Sequence, residues 1–299
     1  MTRVCLPLLF LLSLQQSLLS QRVIEVSYTQ DAKGNLLFSC NNRAFCPYVL
    51  SVSFTTFQNA KADHVLPYEG EVKPGMNRLF TVSPEGAGDL QIKYTSSYQK
   101  GCLHPSLHPA FTYVLPIAPG KETQVFEMNK TPGTDGLDSG FVIRLKMQQG
   151  DTIYAARRGV VTAVHTNSAE NDAGATATDN WNLVEIVHGD CTFGQYGVFK
   201  KDGAFVHPGQ TVEAGTPLGL VGGDKFGRGS DVRFNVSYYQ GPRSIPLPMQ
   251  FWTKKNGKGK LKHGGTYISE HPQAVLLQET PATPASKKKG AVPAKKKAG

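Results

Sequence analysis

The chain has 299 residues and a formal net charge of +9, and 39% of its residues are hydrophobic. This length predicts about two domains of ordinary size, and the hydrophobic content excludes a fully disordered chain. No run of 18 apolar residues occurs, which excludes a protein with several transmembrane helices. The 31 glycines and 19 prolines follow no fixed period. They indicate many turns and favour β structure over helical bundles.

The first residues, MTRVCLPLLFLLSLQQSLLS, have the pattern of a secretory signal peptide. Arg3 precedes an apolar stretch from Val4 to Leu14 that is too short to span a bilayer comfortably. Ser20 suits the position before a cleavage site, and Cys5 lies before the apolar stretch, so a lipoprotein motif is absent. We therefore expect residues 1–20 to be removed and the protein to be periplasmic or secreted.

Residues 21–120 consist of short alternating runs separated by turn sequences. Val23–Tyr28, Tyr48–Phe54 and Leu90–Tyr94 are such runs, and Asp31–Asn35 is one of the turn clusters. Regular short strands with turn signals between them predict a β-sandwich. This region shows no catalytic constellation.

A second set of predicted strands occupies residues 121–240. These strands are Phe141–Met147, Thr152–Ala155, Gly159–Thr166, Leu183–His188, Gln195–Lys200, Pro217–Val221 and Val232–Tyr239. The polar insertion Ser168–Asn180 predicts a surface loop. In the extension at residues 241–278, Phe251 and Trp252 are expected to pack back on this domain. The predicted fold class is therefore all-β, with a β-sandwich followed by a second β-rich domain.

Residues 279–299 are rich in Pro, Ala and Lys and are predicted to be disordered. Six lysines lie there: Lys287, Lys288, Lys289, Lys295, Lys296 and Lys297. Without them the formal charge falls from +9 to +3, so the folded part is close to neutral and a nucleic-acid partner is not expected. The tail either makes weak contacts with an anionic surface or serves only to keep the protein soluble.

Export would place four cysteines, Cys40, Cys46, Cys102 and Cys191, where disulfides are permitted. Cys40 and Cys46 close a small loop and are the pair most readily joined, whereas Cys102 and Cys191 fall in different predicted domains. Spacing does not determine the pairing, and free buried thiols remain an open alternative.

Several sequence segments of the second domain combine short predicted strands with glycine-containing turns in a fixed order. They are Gly150–Val161, Asn182–Asp190, Val206–Gly219 and, after two further glycines, Asp231–Val236. In this order they resemble the M23 (lysostaphin/LytM-type) metallopeptidase family, over roughly residues 129–239. The resemblance implies the β-sheet fold of that family, with its duplicated hybrid motif.

The resemblance also implies a zinc hydrolase that cuts peptide bonds in peptidoglycan. In the family, a His, an Asp and a second His hold the zinc, and further histidines act on the attacking water. In this sequence the corresponding positions carry other residues. They fall near Asp135 and on Arg144, Val198, Asp231 and Arg233.

The chemistry of these replacements argues against catalysis. Arginine has no lone pair for a metal and carries a fixed positive charge, and valine cannot transfer a proton. The sequence therefore predicts no bound metal, no cofactor because the zinc is lost, and no catalytic residue. We expect Arg144 and Arg233 to pair with Asp231 and Asp135 where the family holds zinc.

These observations indicate a non-catalytic M23-like protein that binds peptidoglycan or regulates a partner cell-wall hydrolase. Asn182, Tyr196, Asp231 and Arg233 are the expected residues of its ligand groove, and His188 is expected to be structural. Two alternatives remain open. One is an active zinc endopeptidase that cleaves cell-wall peptides, and the other is a domain used only for assembly contacts in the envelope.

Overall fold

The computed structural model describes residues 22–108, 110–129, 142–168, 182–223 and 230–277. Strands dominate these ranges, and their one helix, α1 (Gln273–Leu276), has four residues. The all-β prediction is therefore confirmed. These ranges include no helix with the length and apolar character needed to span a membrane. The predicted signal peptide, the polar insertion after residue 168 and the lysine tail lie outside the described residues.

The first domain is a sandwich of two antiparallel sheets. One sheet contains, in spatial order, β1 (Ile24–Gln30), β2 (Leu36–Asn42), β6 (Gly75–Pro84) and β4 (Ala60–Ala62). The other contains β5 (Tyr68–Val72), β3 (Tyr48–Gln58) and β7 (Gln91–Lys100). Alternating side chains from both sheets form the core, in which Phe38, Leu50 and Phe80 are almost completely buried.

The turn between β1 and β2 shows how the sequence pattern specifies this hairpin. Asp31 Oδ1 accepts hydrogen bonds from the backbone N–H groups of Lys33 (2.8 Å) and Asn35 (2.9 Å). Gly34 has a φ of 83°, a conformation that glycine adopts without steric cost. The predicted turn cluster at Asp31–Asn35 is therefore confirmed.

A nine-stranded sheet forms the second domain's framework. Its strands, in spatial order, are β16 (Thr211–Val212), β12 (Gly159–His165), β13 (Leu183–Val187), β14 (Phe193–Gly197), β18 (Asp231–Gln240), β10 (Val142–Lys146), β9 (Glu122–Asn129) and β22 (Thr266–Ile268), with β19 (Arg243–Pro246) beside β18.

Two three-stranded sheets complete this domain. One contains β11 (Thr152–Tyr154), β17 (Pro217–Val221) and β15 (Phe199–Ala204). The other contains β21 (Gly257–Gly259), β20 (Gln250–Thr253) and β8 (Thr112–Val114).

The second core draws on a segment that precedes residue 120. Tyr113, Leu115 and Ile117 are buried in it, although the predicted boundary assigned them to the sandwich. They join it because β8 pairs in parallel with β20, which places Tyr113 beside Phe251. Phe251, from the C-terminal extension, is 1% exposed in the same core.

A disulfide between Cys102 and Cys191 connects the two domains, with a Cα–Cα distance of 6.0 Å. Of the alternatives left open by the sequence, Cys40 and Cys46, the pair most readily joined by spacing, are not bonded to each other. Both of those cysteines are free and buried, and burial raises the pKa of each thiol to about 11. Proximity in sequence suggested the short loop, but the packing of the two domains brings the distant pair together.

Lys100, at the end of β7, reinforces the domain contact. Its ammonium group forms an ion pair with Glu185 of β13 and lies 4.9 Å from the centre of the Phe193 ring. Cys46, Cys191 and Phe193 pack together in a small apolar cluster at the same place. The covalent and non-covalent contacts thus join the end of the sandwich to the central strands of the large sheet.

Candidate functional site

Four of the positions that the predicted resemblance assigns to a zinc site lie at one end of the large sheet. β10 pairs with β18 so that Arg144 lies opposite Arg233, and β14 pairs with the other side of β18 so that Gly197 also lies opposite Arg233. Val198 follows Gly197 directly. Asp231 lies two residues before Arg233 and therefore faces the same side of the sheet.

Asp231 is the carboxylate that both arginines contact. Its side chain is 3% exposed, and Arg144 binds it through Nε and Nη2. Arg233 Nε donates to Asp231 Oδ1 at 3.3 Å. The predicted pairing of Arg144 with Asp231 is therefore present, and Arg233 is directed to the same carboxylate. Asp135, the other predicted acidic partner, lies outside the described residues.

The charges of this cluster are arranged around one carboxylate. Two arginines opposite each other on paired strands repel, and the Asp231 carboxylate between them offsets that repulsion. The side chains of Arg144 and Arg233 are each 10% exposed, so the cluster is mostly shielded from water.

These side chains do not suit zinc. A zinc ligand needs a lone pair from His, Cys or a carboxylate, and a guanidinium offers none. Both oxygens of Asp231 already accept hydrogen bonds from arginine. Across the ranges that the structure describes, no group of three or more His, Cys, Asp and Glu side chains could hold a metal ion. We therefore derive no step through zinc from these residues.

Val198 occupies an unusual backbone conformation beside this cluster. Its φ is 73°, a left-handed value that is an outlier for a β-branched residue. The Val198 N–H donates to the Asn182 carbonyl, and the Gly222 N–H donates to the Val198 carbonyl, both at 2.9 Å. These bonds hold a bend between β14 and β15, so the single predicted strand Gln195–Lys200 is wrong and two strands meet there.

Two of the expected groove residues have internal roles. Asn182 Nδ2 donates to the carbonyls of Ser168 (3.0 Å) and Phe199 (3.1 Å), and its Oδ1 accepts from the Ser168 N–H. Tyr196 is completely buried, and its hydroxyl accepts a hydrogen bond from the Ala156 N–H at 2.8 Å. Of the expected groove, Asp231 and Arg233 are the pair that the structure brings together.

A second buried ion pair escaped the sequence analysis. Arg157, 1% exposed, places Nη1 2.9 Å from Asp190 Oδ2 and 3.3 Å from Thr192 Oγ1. Its guanidinium carbon lies 3.9 Å from the centre of the Phe111 ring, a cation–π contact. An Arg-Arg-Gly sequence between strands indicates an exposed turn, so no sequence signal marked Arg157 as buried.

The carboxyl group of Asp190 is adapted to this pairing. Burial would raise its pKa, but the charge of Arg157 and the hydrogen bonds from Thr192 lower it below its usual value. Asp190 therefore stays ionised, and the pair holds the turn after β13 against the turn before β12.

His188 lies next to this ion pair and is 3% exposed. Its Nδ1 is 2.8 Å from the Arg158 carbonyl, which assigns the ring proton to Nδ1. Burial, with the charge of Arg157, lowers the pKa of His188 well below its usual value. Nε2 packs closely against Gly194, where a Cβ would lie 2.9 Å away. His188 is therefore a neutral residue of the core.

Residues 139–245 match the family model for Peptidase family M23. No curated protein matches the chain. Among solved structures, the chain is similar to the catalytic domain of the antimicrobial peptidase lysostaphin from Staphylococcus simulans, with 14% identity over 44% of this chain and 88% of that chain and a TM-score of 0.28.

Two further solved structures show a similar level of likeness. A mutant catalytic domain of the prophage-encoded M23 protein EnpA from Enterococcus faecalis has 22% identity over 44% of this chain and 93% of that chain, with a TM-score of 0.30. Csd3 from Helicobacter pylori has 14% identity over 79% of this chain and 77% of that chain, with a TM-score of 0.31. The family assignment rests on the family model.

Proposed function

Because residues 139–245 match the family model for Peptidase family M23, we propose that this protein is a non-catalytic member of that family. In this proposal it binds cell-wall peptidoglycan or regulates a partner cell-wall hydrolase. The observation that carries the proposal is the pairing of Arg144 and Arg233 with Asp231 at the end of the large sheet. An arginine pair around one carboxylate leaves no donor set for zinc, so hydrolysis by the family's chemistry has no support there.

The guanidinium groups of the cluster suggest what the groove binds. A guanidinium recognises a carboxylate through charge-assisted hydrogen bonds, and peptide chains of the cell wall offer carboxylates at their ends and on side chains. Arg233 already gives Nε to Asp231 at 3.3 Å, which fixes the position of its guanidinium. In the proposed complex, Arg233 contacts a peptide carboxylate while Arg144 and Asp231 keep the site assembled.

Two expectations from the termini belong to the same proposal. The signal-peptide pattern supports export to the periplasm or the outside of the cell. The six lysines of the tail support weak, salt-sensitive contact with anionic envelope polymers. In this proposal, both features bring the protein near peptidoglycan.

Metal content separates this proposal from an active zinc endopeptidase. The chain beginning at Gln21, as predicted cleavage would leave it, is dialysed against zinc and then against metal-free buffer, and its zinc is measured by elemental analysis. We expect far less than one zinc ion per chain. A stable content near one ion per chain would favour the endopeptidase, and release of peptides from purified cell walls would establish it.

Binding to insoluble peptidoglycan tests the groove. We expect Arg233→Met to weaken binding about tenfold, since a charge-assisted hydrogen bond would be lost. Arg243→Met is the matched control, because Arg243 is an exposed arginine on the neighbouring strand β19. Equal losses in both variants would indicate non-specific charge attraction and contradict the proposed groove.

A further inference from the structure

A groove of about 720 Å³ lies at one end of the sandwich, away from the M23 domain's arginine cluster. It runs between β1 and β7, which are edge strands of the two facing sheets. The residues that line it include Tyr28, Gln30, Leu36, Asp89, Gln91 and Lys93. An aromatic side chain among a few polar groups is the usual composition of a small-molecule site.

The groove exists because the apolar pattern of β1 ends before the strand does. Ile24, Val26, Tyr28 and Gln30 alternate along the strand and therefore share one face. Ile24 is buried in the sandwich core, and Val26 packs against that core. Gln30 places an amide where the pattern calls for another apolar side chain. The two sheets consequently enclose a polar opening at this end.

Tyr28 presents an aromatic surface that its neighbours hold in place. Its ring centre lies 5.2 Å from that of Phe38 and 6.3 Å from that of Tyr94. The Tyr94 hydroxyl donates to the Val26 carbonyl at 3.2 Å and so fixes β7 against β1. Tyr28 nevertheless remains 45% exposed. A tyrosine that is supported from behind and open in front offers a flat binding face at low entropic cost.

The polar groups of the groove are available to a ligand. Within the described part of the chain, the side chains of Asp89, Gln91 and Lys93 form no hydrogen bond, and Gln30 forms only a long one of 3.5 Å to Gly34. Amides both donate and accept, the carboxylate accepts and the ammonium donates. Asp89 and Lys93 have opposite charges, so the groove has no net charge to attract an ion.

We propose that this groove binds a pyranose unit of a polysaccharide. The C–H face of the sugar ring packs on Tyr28, and its hydroxyl groups exchange hydrogen bonds with Gln30, Gln91 and Asp89. A neutral ring with an apolar face and a rim of hydroxyls matches both the aromatic surface and the balanced polar set. This inference goes beyond the proposed function, because it assigns a ligand to the sandwich and not to the M23 domain.

Calorimetric titration of the chain beginning at Gln21 tests the proposal. The probes are a hexamer of β-1,4-linked N-acetylglucosamine, a hexamer of β-1,4-linked glucose and a short peptide of the cell-wall type. Binding of either sugar supports the proposal, and the preferred sugar identifies the kind of polymer. We expect Tyr28→Ala and Gln91→Ala each to weaken sugar binding at least tenfold.

Tyr98→Ala is the matched control, since Tyr98 is a 37% exposed tyrosine of β7 outside the groove. Its sugar affinity should equal that of the unchanged chain. The proposal is overturned if neither sugar binds, if Tyr28→Ala and Gln91→Ala bind as tightly as Tyr98→Ala, or if the peptide alone depends on Tyr28. Sugar binding that is lost in Arg233→Met but kept in Tyr28→Ala would overturn it while leaving the M23-domain proposal intact.

Discussion

Two buried arginine–aspartate sites in the second domain differ in how the carboxylate is satisfied. Asp190 accepts from the Thr192 N–H (3.1 Å), from the Thr192 hydroxyl (2.7 Å) and from Arg157 (2.9 Å). One arginine balances one aspartate, and the site is closed to water. Asp231 instead accepts from two arginines, Arg144 and Arg233, whose side chains are each 10% exposed.

The difference indicates separate roles for the same two residue types. A buried charge has to be compensated by groups at the same place. Arg157 and Thr192 already satisfy the Asp190 carboxylate, so this carboxylate offers no binding group to a ligand. The cluster around Asp231 is held together by the same kind of contact, but its arginine side chains are partly exposed. The first site is therefore structural, whereas the second is the one for which we propose a ligand.

The largest expected effect comes from breaking the closed site. Replacing Arg157 by Met leaves the Asp190 carboxylate buried without its cation, and we expect a loss of about 3–5 kcal/mol in the free energy of unfolding. Urea denaturation followed by fluorescence measures it. Arg43→Met is the control, because Arg43 pairs with Glu25 at 2.7 Å on the surface and should cost less than about 1 kcal/mol. Equal losses would contradict the distinction between buried and exposed pairs.

Breaking the open site is expected to cost less. In Arg144→Met, Asp231 keeps its contact with Arg233 at 3.3 Å, so we expect a loss of about 1–3 kcal/mol. The same denaturation assay measures this variant. A loss as large as that of Arg157→Met would show that Arg233 does not compensate Asp231, and the description of a shared carboxylate would then be incorrect.

A pH titration of stability sharpens the description of the closed site. The pKa of His188 is lowered in the folded protein by burial and by the charge of Arg157, so below about pH 6.5 the unfolded chain takes up a proton that the folded chain does not. Stability is therefore lost as the pH falls through this window, by at most about 1.4 kcal/mol per pH unit.

Denaturation at about pH 7 and about pH 5 measures this slope, and the slope should become shallower in His188→Asn. Burial also lowers the pKa of His271, which adds a slope of the same sign that the variant keeps. Asp190 contributes in a separate and more acidic pH range, because its pKa in the folded protein lies below its usual value. The stabilisation it provides is lost as the pH falls from the usual pKa toward the lower folded pKa. An unchanged slope in His188→Asn would exclude His188 as its source.

The local pattern of the sequence was sufficient for the strands and several turns. Alternation along Ile24–Gln30 and the Asp31–Asn35 turn specify a hairpin through contacts between near neighbours. The order of glycine-containing segments was also sufficient to relate roughly residues 129–239 to the M23 family, whose model matches residues 139–245. Both features can be predicted from the sequence because they depend only on the period and spacing of residues along the chain.

The positions of Arg144 and Asp231 in the family pattern likewise predicted their pairing, since opposite charges placed together in a buried site are expected to compensate each other. The left-handed bend at Val198 could not be foreseen, because valine avoids that conformation unless surrounding bonds impose it. The hydrogen bonds that hold Val198 come from Asn182 and Gly222, and both residues are distant from Val198 along the chain.

Contacts between distant segments account for the remaining differences. The short-range patterns of the sequence specified an all-β chain and predicted the pairing of Arg144 with Asp231. The Cys102–Cys191 bridge, the burial of Arg157 beside Asp190 and the opening beside Tyr28 became visible only in the folded protein. Each depends on the packing of elements far apart in the chain, and that packing follows from the shape and charge of whole surfaces and not from spacing along one strand.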